Sequence, residues 1–170
     1  RADGERLPLA DGALVVVAGI GSLEHYLDPA AGAAELARVL CPGGRAVVLL
    51  PNAFGLRGPV LHAWRRGAPV DDGQPIQRYA ARRSWQALLE RAGLVVEGVL
   101  GCESLAEDPA SPAAWLGTLR HPTRLLALAH DRLPVDMAVE LVFLCGRAAA
   151  TTEAPRGGAP AGRDVTAGQS

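Results

Sequence analysis

The chain has 170 residues, 49% of them hydrophobic, and a formal net charge of −1. This length is enough for one hydrophobic core, and the balanced charge gives no bias toward nucleic acid or acidic substrates, so we expect no nucleic-acid partner. No apolar run approaches the roughly 18 residues of a membrane-spanning helix and no signal-peptide pattern opens the chain. We therefore expect a cytoplasmic protein without a membrane span.

The first predicted strand is Leu14–Ala18, which follows a loop rich in turn-forming residues. A helix is predicted over Pro29–Leu40, with Asp28 as its N-cap and proline at its first position, where no backbone N–H is needed. Glu35 and Arg38 are spaced to pair with each other on its outer side. Its apolar face consists of Ala33, Leu36, Ala37 and Leu40.

The helix is predicted to stop at Pro42-Gly43-Gly44. The apolar run Ala46–Leu50 that follows is typical of a strand covered on both faces in a parallel sheet. The segment Pro51–Asp72 lies beyond the end of this strand, where a lid or substrate loop would sit, and contains a predicted short helix within Leu56–Arg66. In that helix, Leu61 and Trp64 share one side.

The remaining elements of the chain are predicted from helical and apolar patterns interrupted by proline and glycine. They are a helix over residues 82–91, a strand over 94–100, two helices at 113–119 and 123–132 inside an insertion at about 103–134, and a last strand over 138–145. Residues 148–170 are rich in Ala, Gly, Pro and Thr and predict a disordered tail, because they cannot bury enough apolar surface. One domain over residues 1–147 is the resulting prediction.

The cysteines and histidines give no metal-binding pattern. Cys41, Cys102 and Cys145 are isolated, with no CxxC spacing, which favours apolar cysteines in a reducing compartment. The histidines other than His25 are scattered, at spacings unsuited to a shared metal ion. The sequence therefore predicts no metal site.

The string LEHYLDP…ELARVLCPGG…LLPN over residues 23–52 resembles the second half of a class I S-adenosylmethionine-dependent methyltransferase domain of the small-molecule, type 11-like kind. The resemblance covers about residues 1–101. It implies an α/β fold, a Rossmann-like sheet in which strands four to seven are present and strand seven is antiparallel. The implied activity is methyl transfer from S-adenosylmethionine to a small-molecule acceptor. The sequence does not indicate the oligomeric state.

The family's first three strands, including its Gly-rich cofactor loop, have no counterpart in this sequence, which begins with arginine instead of methionine. We therefore expect the chain to be the C-terminal part of a longer domain. Alone, it is expected to be inactive and not to bind S-adenosylmethionine measurably, since the Gly-rich loop supplies much of the grip on such a cofactor. Leu14–Ala18 would then present an unpaired apolar strand edge, which predicts poor solubility.

The resemblance also implies a set of cofactor-binding residues. Asp3 stands where the family places a carboxylate that accepts from the adenine amino group, with the Gly4 backbone beside it. Gly19 and Ile20 stand where the family's backbone meets the methionine part of the cofactor. Leu23 would lie near the methyl group that is transferred.

His25 would also lie near the methyl group, and it is the candidate catalytic residue. A histidine can act as a general base on a substrate hydroxyl. The alternative is that Glu24 and His25 form a structural pair that orients the start of the helix. Residues 19–22 likewise have a structural alternative, a tight strand-to-helix turn, and Asp3 could be an ordinary turn aspartate.

Two other functions remain open at the level of the sequence. Val15 replaces the aspartate that usually starts strand four in the family, which is compatible with a binding or scaffold protein on a degenerate methyltransferase fold. A different α/β enzyme with a Rossmann-like sheet is the other alternative, since a fold does not fix a function.

Overall fold

A computed structural model describes residues 2–71, 73–102 and 134–147 of the chain. Within these ranges the chain forms one four-stranded sheet and three α-helices. The strands are β1 (Leu14–Ile20), β2 (Leu40–Pro51), β3 (Leu94–Cys102) and β4 (Glu140–Arg147). The helices are α1 (Pro29–Val39), α2 (Leu61–Arg66) and α3 (Arg82–Arg91).

The strands lie in the order β1-β2-β4-β3. β1 and β2 are parallel and are joined by α1, as expected for a strand-helix-strand unit. β4 is antiparallel to both β2 and β3. This mixed sheet is the Rossmann-like arrangement that the resemblance implied, including the antiparallel last strand.

The Pro42-Gly43-Gly44 segment does not separate the helix from the strand as predicted. β2 already begins at Leu40, which pairs with Leu14, and the register then jumps so that Val16 pairs with Arg45. Gly43 has a φ of +77°, in the left-handed region that favours glycine. The segment is therefore an irregularity within β2, because β2 pairs with β1 both before and after it.

The capping and charge pairing predicted for α1 are confirmed. The Asp28 carboxylate accepts hydrogen bonds from the backbone N–H groups of Ala30 and Ala31 at 2.9 and 3.2 Å. Arg38 Nε donates to Glu35 at 2.7 Å, and this pair lowers the pKa of Glu35 to about 2. All four residues of the predicted apolar face are buried, at 9% exposure or less: Ala33, Leu36, Ala37 and Leu40.

Helix α3 packs on the same side of the sheet as α1, and both contribute to one core cluster. Trp85 and Leu89 are buried, and the Trp85 indole N–H donates to the carbonyl oxygen of Pro51 at 2.8 Å. This bond attaches α3 to the end of β2. The helix therefore fixes the position of the β2 carboxyl end.

Only one face of the sheet is covered by the described residues, so the prediction of a strand covered on both faces is wrong for this part of the chain. On β2, Val48 is fully buried under the helices, while Val47 and Leu49 on the other face are half-buried. The uncovered face also carries the Arg45–Glu97 ion pair. Its other side chains are mostly apolar, and strand pairing places them beside one another: Val16, Ile20, Val95, Leu100, Val142 and Leu144.

Helix α2 is short and follows a π-helical turn over Leu56–Val60. Trp64 is 79% exposed, so it does not share a buried side with Leu61 as the helical pattern suggested. The predicted helices at 113–119 and 123–132 and the predicted tail at 148–170 lie outside the described residues. No helix in the described ranges is long and apolar enough to cross a membrane.

Candidate functional site

The candidate site is the turn that follows β1 at the carboxyl edge of the sheet. Such edges are where open α/β sheets bind ligands. The turn starts at Gly21, whose φ of +55° requires a residue without a side chain, and its N–H donates to the carbonyl oxygen of Leu49 at 3.4 Å. The 3-10 helix Leu23–His25 follows directly. Residues 19–22 thus include the tight turn that the sequence offered as an alternative.

Gly19 and Ile20 are the last two residues of β1, two positions beyond the predicted strand end. A Cβ added at Gly19 would contact Leu36 at 3.5 Å on the helix-covered face, so the absence of a side chain at Gly19 opens no space on the uncovered face. Ile20 is 58% exposed on the uncovered face. A ligand at this edge would meet the Ile20 side chain and the backbone of both residues.

Leu23 is 1% exposed and belongs to the hydrophobic core cluster. Its Cδ2 would lie 2.9 Å from a Cβ added at Gly32 of α1. The side chain therefore anchors the turn to α1. A contact between Leu23 and a ligand would have to involve its backbone.

The Asp3–Gly4 turn lies close to residues 26–28, directly after the 3-10 helix. Gly4 faces Tyr26 so closely that an added Cβ would overlap the phenol ring. The Glu5 carboxylate accepts hydrogen bonds from the backbone N–H groups of Leu27 and Asp28 at 2.7 and 3.2 Å. Asp3 Oδ1 accepts from the Glu5 N–H at 3.0 Å, within its own turn, and Asp3 remains exposed.

The His25 ring is held in a defined orientation. Its Nδ1 lies 2.7 Å from the carbonyl oxygen of Ile76, and a carbonyl can only accept, so Nδ1 carries the proton. Nε2 is then the basic atom of the neutral ring. It lies 3.7 Å from Glu24 Oε1, and the side chain is 25% exposed. The geometry leaves Nε2 able to accept a proton.

Glu24 is a buried acid, 4% exposed, beside this histidine. Among the described residues its Oε2 has no hydrogen-bond partner. Burial raises the pKa of Glu24 above its ordinary value, and the negative charge of Glu140 raises it further. The backbone N–H groups of Glu24 itself and of Ser22, together with the neighbouring His25, act in the opposite direction. The sequence predicts Glu24 only as part of a structural pair, because no local pattern indicates that its carboxyl group is buried.

Arg78 joins the turn to the segment that crosses it. Its guanidinium donates to the carbonyl oxygens of Tyr26, of Leu27 at 3.1 Å and of Glu24 at 3.3 Å. Together with the bond from His25 to Ile76, these contacts join two segments about fifty positions apart in the sequence. This role of Arg78 is not predicted by the sequence, since no local pattern reveals which distant carbonyl groups a guanidinium will reach.

A cavity of about 510 Å³ lies beyond the end of β2. Asn52 stands at its base and donates to the carbonyl oxygens of Asp136 and Ala138 at 2.9 and 2.8 Å. Arg82 pairs with Asp136 at one side, at 2.5 Å. The apolar part of the lining consists of Phe54, Leu56, Val60, Ala81 and Met137. In the described ranges, no group of three or more His, Cys, Asp or Glu residues could hold a metal ion.

The chain also has similarities to known proteins. Residues 1–48 match a family model described as a methyltransferase domain. Over 123 residues the chain is 29% identical to the uncharacterised protein YafE of Escherichia coli (strain K12), a match that covers 72% of this chain and 56% of YafE. The chain thus spans little more than half the length of this curated relative.

Solved structures share the fold. One is a Haloferax volcanii complex of the methyltransferase activator Trm112 with a proposed methyltransferase, with a TM-score of 0.59, 21% identity, and coverage of 87% of this chain and 59% of that chain. Another is a Thermotoga maritima S-adenosylmethionine-dependent methyltransferase, described as a candidate histamine N-methyltransferase, with a TM-score of 0.57, 16% identity, and coverage of 86% and 62%. Over its first 48 residues the chain is thus similar to a methyltransferase domain, and its described sheet and helices share the fold of these methyltransferase structures.

Proposed function

We propose that the chain is the C-terminal part of a cytoplasmic enzyme that transfers a methyl group from S-adenosylmethionine to a small-molecule acceptor. The observation that carries this proposal is the turn after β1, where the basic Nε2 of His25 and a buried acid lie together at the carboxyl edge of a methyltransferase-type sheet. The chain spans 56% of YafE and 59% of the Haloferax volcanii chain, which supports the proposal that further residues complete the domain.

The residues at this edge fit the chemistry of S-adenosylmethionine. The orphaned oxygen of the buried Glu24 suits a ligand that carries positive charge, and the exposed Asp3 carboxylate suits an amino group that donates hydrogen bonds. The backbones of Gly19, Ile20 and Leu23 would supply the remaining polar contacts of the site. When bound, S-adenosylmethionine supplies a methyl group on a positively charged sulfur, which makes a strong acid or base largely unnecessary.

In this proposal the role of His25 is to take the proton that the acceptor loses. The carbonyl oxygen of Ile76 holds Nδ1–H, so Nε2 is the atom that accepts the proton. The imidazolium that forms would be stabilised by Glu24 Oε1, 3.7 Å away. A hydroxyl, amine or acidic carbon of the acceptor would meet this requirement equally.

The cavity beyond β2 is the proposed position of the acceptor. It lies at the carboxyl edge of the strand next to β1, and its lining is mostly apolar. Phe54 is 62% exposed and Met137 is 44% exposed, so both offer apolar surface to a bound molecule. A small or amphipathic acceptor fits such a lining.

The test is calorimetric titration of S-adenosylhomocysteine, the product of the donor, into the protein extended upstream to its natural start and, in parallel, into the 170-residue chain. Micromolar binding by the extended protein alone is the expected result. A folded extended protein that binds nothing would refute the proposed enzyme and favour a scaffold on a degenerate fold. The variant His25→Asn should retain the affinity, because its proposed role concerns the acceptor's proton.

A further inference from the structure

The carboxylate of Glu24 has an incomplete set of partners. It is 4% exposed, and no described residue hydrogen-bonds to Oε2. The basic group nearest to it in the described ranges, His25 Nε2, is 3.7 Å from the other oxygen, beyond hydrogen-bond distance. Arg78 lies close by, but its guanidinium donates to backbone carbonyl oxygens. A buried carboxylate in this state lacks a full counter-charge.

A second acid increases the demand for positive charge at this edge. Glu140 is the first residue of β4 and pairs with Pro51, the last residue of β2. Its negative charge acts on Glu24, and burial also raises the pKa of Glu140 itself. Two carboxyl groups that are partly removed from water repel each other, and a bound cation would relieve both the repulsion and the burial cost.

We propose that Glu24 supplies the negative counter-charge for the cationic sulfur of the methyl donor, and that it thereby lets the site distinguish the donor from its neutral product. This inference rests on the proposed function. Glu24 immediately precedes His25, and its carboxyl group lies beside the Nε2 that is proposed to face the reacting groups. S-adenosylmethionine carries a positive sulfonium and S-adenosylhomocysteine a neutral thioether, so only the first gains from this carboxylate.

The experiment compares three ligands by calorimetric titration into the extended protein: S-adenosylmethionine, S-adenosylhomocysteine, and sinefungin, which carries an ammonium group in place of the methylated sulfur. The test variant is Glu24→Gln, which keeps the shape and removes the charge. We expect this variant to bind the two cationic ligands at least about tenfold more weakly. An opposite charge within about 4 to 6 Å changes a pKa by about one unit or more, and one unit corresponds to a tenfold change in an equilibrium constant. Binding of S-adenosylhomocysteine should change less than about twofold.

The matched control is Glu90→Gln, the same change on the outer side of α3, away from the carboxyl edge. It should leave all three affinities unchanged. Normal binding of S-adenosylhomocysteine by Glu24→Gln would also show that the variant is folded.

Thermal unfolding at pH 7 provides a second check on Glu24→Gln. Because burial raises the pKa of Glu24, the folded protein loses stability as the pH rises above 4.5 and this carboxyl group ionises. The variant should be no less stable than the wild type.

Each remaining outcome is decisive. Equal weakening of all three ligands by Glu24→Gln, or no weakening of any, would overturn the role of Glu24 while leaving the proposed function intact. Failure of the wild-type extended protein to bind any of the three would overturn both proposals. The neutral ligand thus separates the two failures.

Discussion

The Tyr26 ring lies where two glycines leave room for it, and this arrangement gives a sharp prediction for Gly32→Ala. A Cβ added at Gly32, in the first half of α1, would overlap the ring of Tyr26 and lie 2.9 Å from Leu23 Cδ2. Gly4 lies against the hydroxyl end of the same ring. A shift of the ring to make room at Gly32 would therefore also disturb its contact with the Asp3–Gly4 turn.

Two opposing effects set the magnitude for Gly32→Ala. Replacing glycine by alanine inside a helix stabilises a protein by about 1 kcal/mol, through lower conformational entropy of the unfolded chain and better helix propensity. Overpacking against a ring with no space to move costs about 1 to 3 kcal/mol. We therefore expect Gly32→Ala to lower the free energy of unfolding by about 1 kcal/mol.

The same substitution should change sign when the ring is absent. In a Tyr26→Ala background the overlap with the ring disappears, and the end of the Leu23 side chain can turn into the space that the ring leaves. Gly32→Ala should then raise the free energy of unfolding by about 1 kcal/mol. Urea unfolding followed by tryptophan fluorescence would measure all four proteins of this double-mutant cycle. Stabilisation by Gly32→Ala in both backgrounds would refute the packing of Tyr26 against Gly32.

Three further substitutions test the contacts that hold the site. Arg38 and the backbone N–H of Leu7 lower the pKa of Glu35 to about 2, so its ionised form stabilises the fold above pH 4.5, and this stability is lost as the pH falls toward about 2. Glu35→Gln should remove this contribution, and the melting temperature of the variant should depend less on pH between pH 2 and 6. Arg78→Ala should speed amide exchange in residues 24–27, because the carbonyl oxygens of Glu24, Tyr26 and Leu27 lose their donor, while Arg78→Lys restores part of the protection. Trp85→Phe should cost about 1 to 2 kcal/mol in urea unfolding, because it leaves the buried Pro51 carbonyl without its donor.

Local chemistry made several parts of the fold predictable. The Asp28 cap, the apolar face of α1 and the Glu35–Arg38 pair all depend on residues within four positions of one another, which is the range over which helix geometry fixes neighbours. The Rossmann-like sheet and its antiparallel last strand were expected from the resemblance to methyltransferases, since strand periodicity alone does not choose between topologies. Strand ends were less accurate, and β1 runs two residues further than predicted.

The parts that sequence analysis missed depend on contacts between distant segments. The bond from His25 to Ile76 spans 51 positions, and the Arg78 contacts span a similar distance. The burial of Glu24 follows from how the turn docks against β2, which no local pattern encodes. The uncovered sheet face could not be predicted from Ala46–Leu50, because a continuous apolar run shows only that a strand is apolar on both sides.

The most direct test of the site is a map of the backbone amide signals that change when S-adenosylhomocysteine is added to the isotope-labelled extended protein. The proposed site predicts that, among the residues of this chain, the largest changes fall at Gly4 and in residues 19–25. Changes confined to the cavity beyond β2 or to the uncovered sheet face, with residues 19–25 unaffected, would contradict the proposed site.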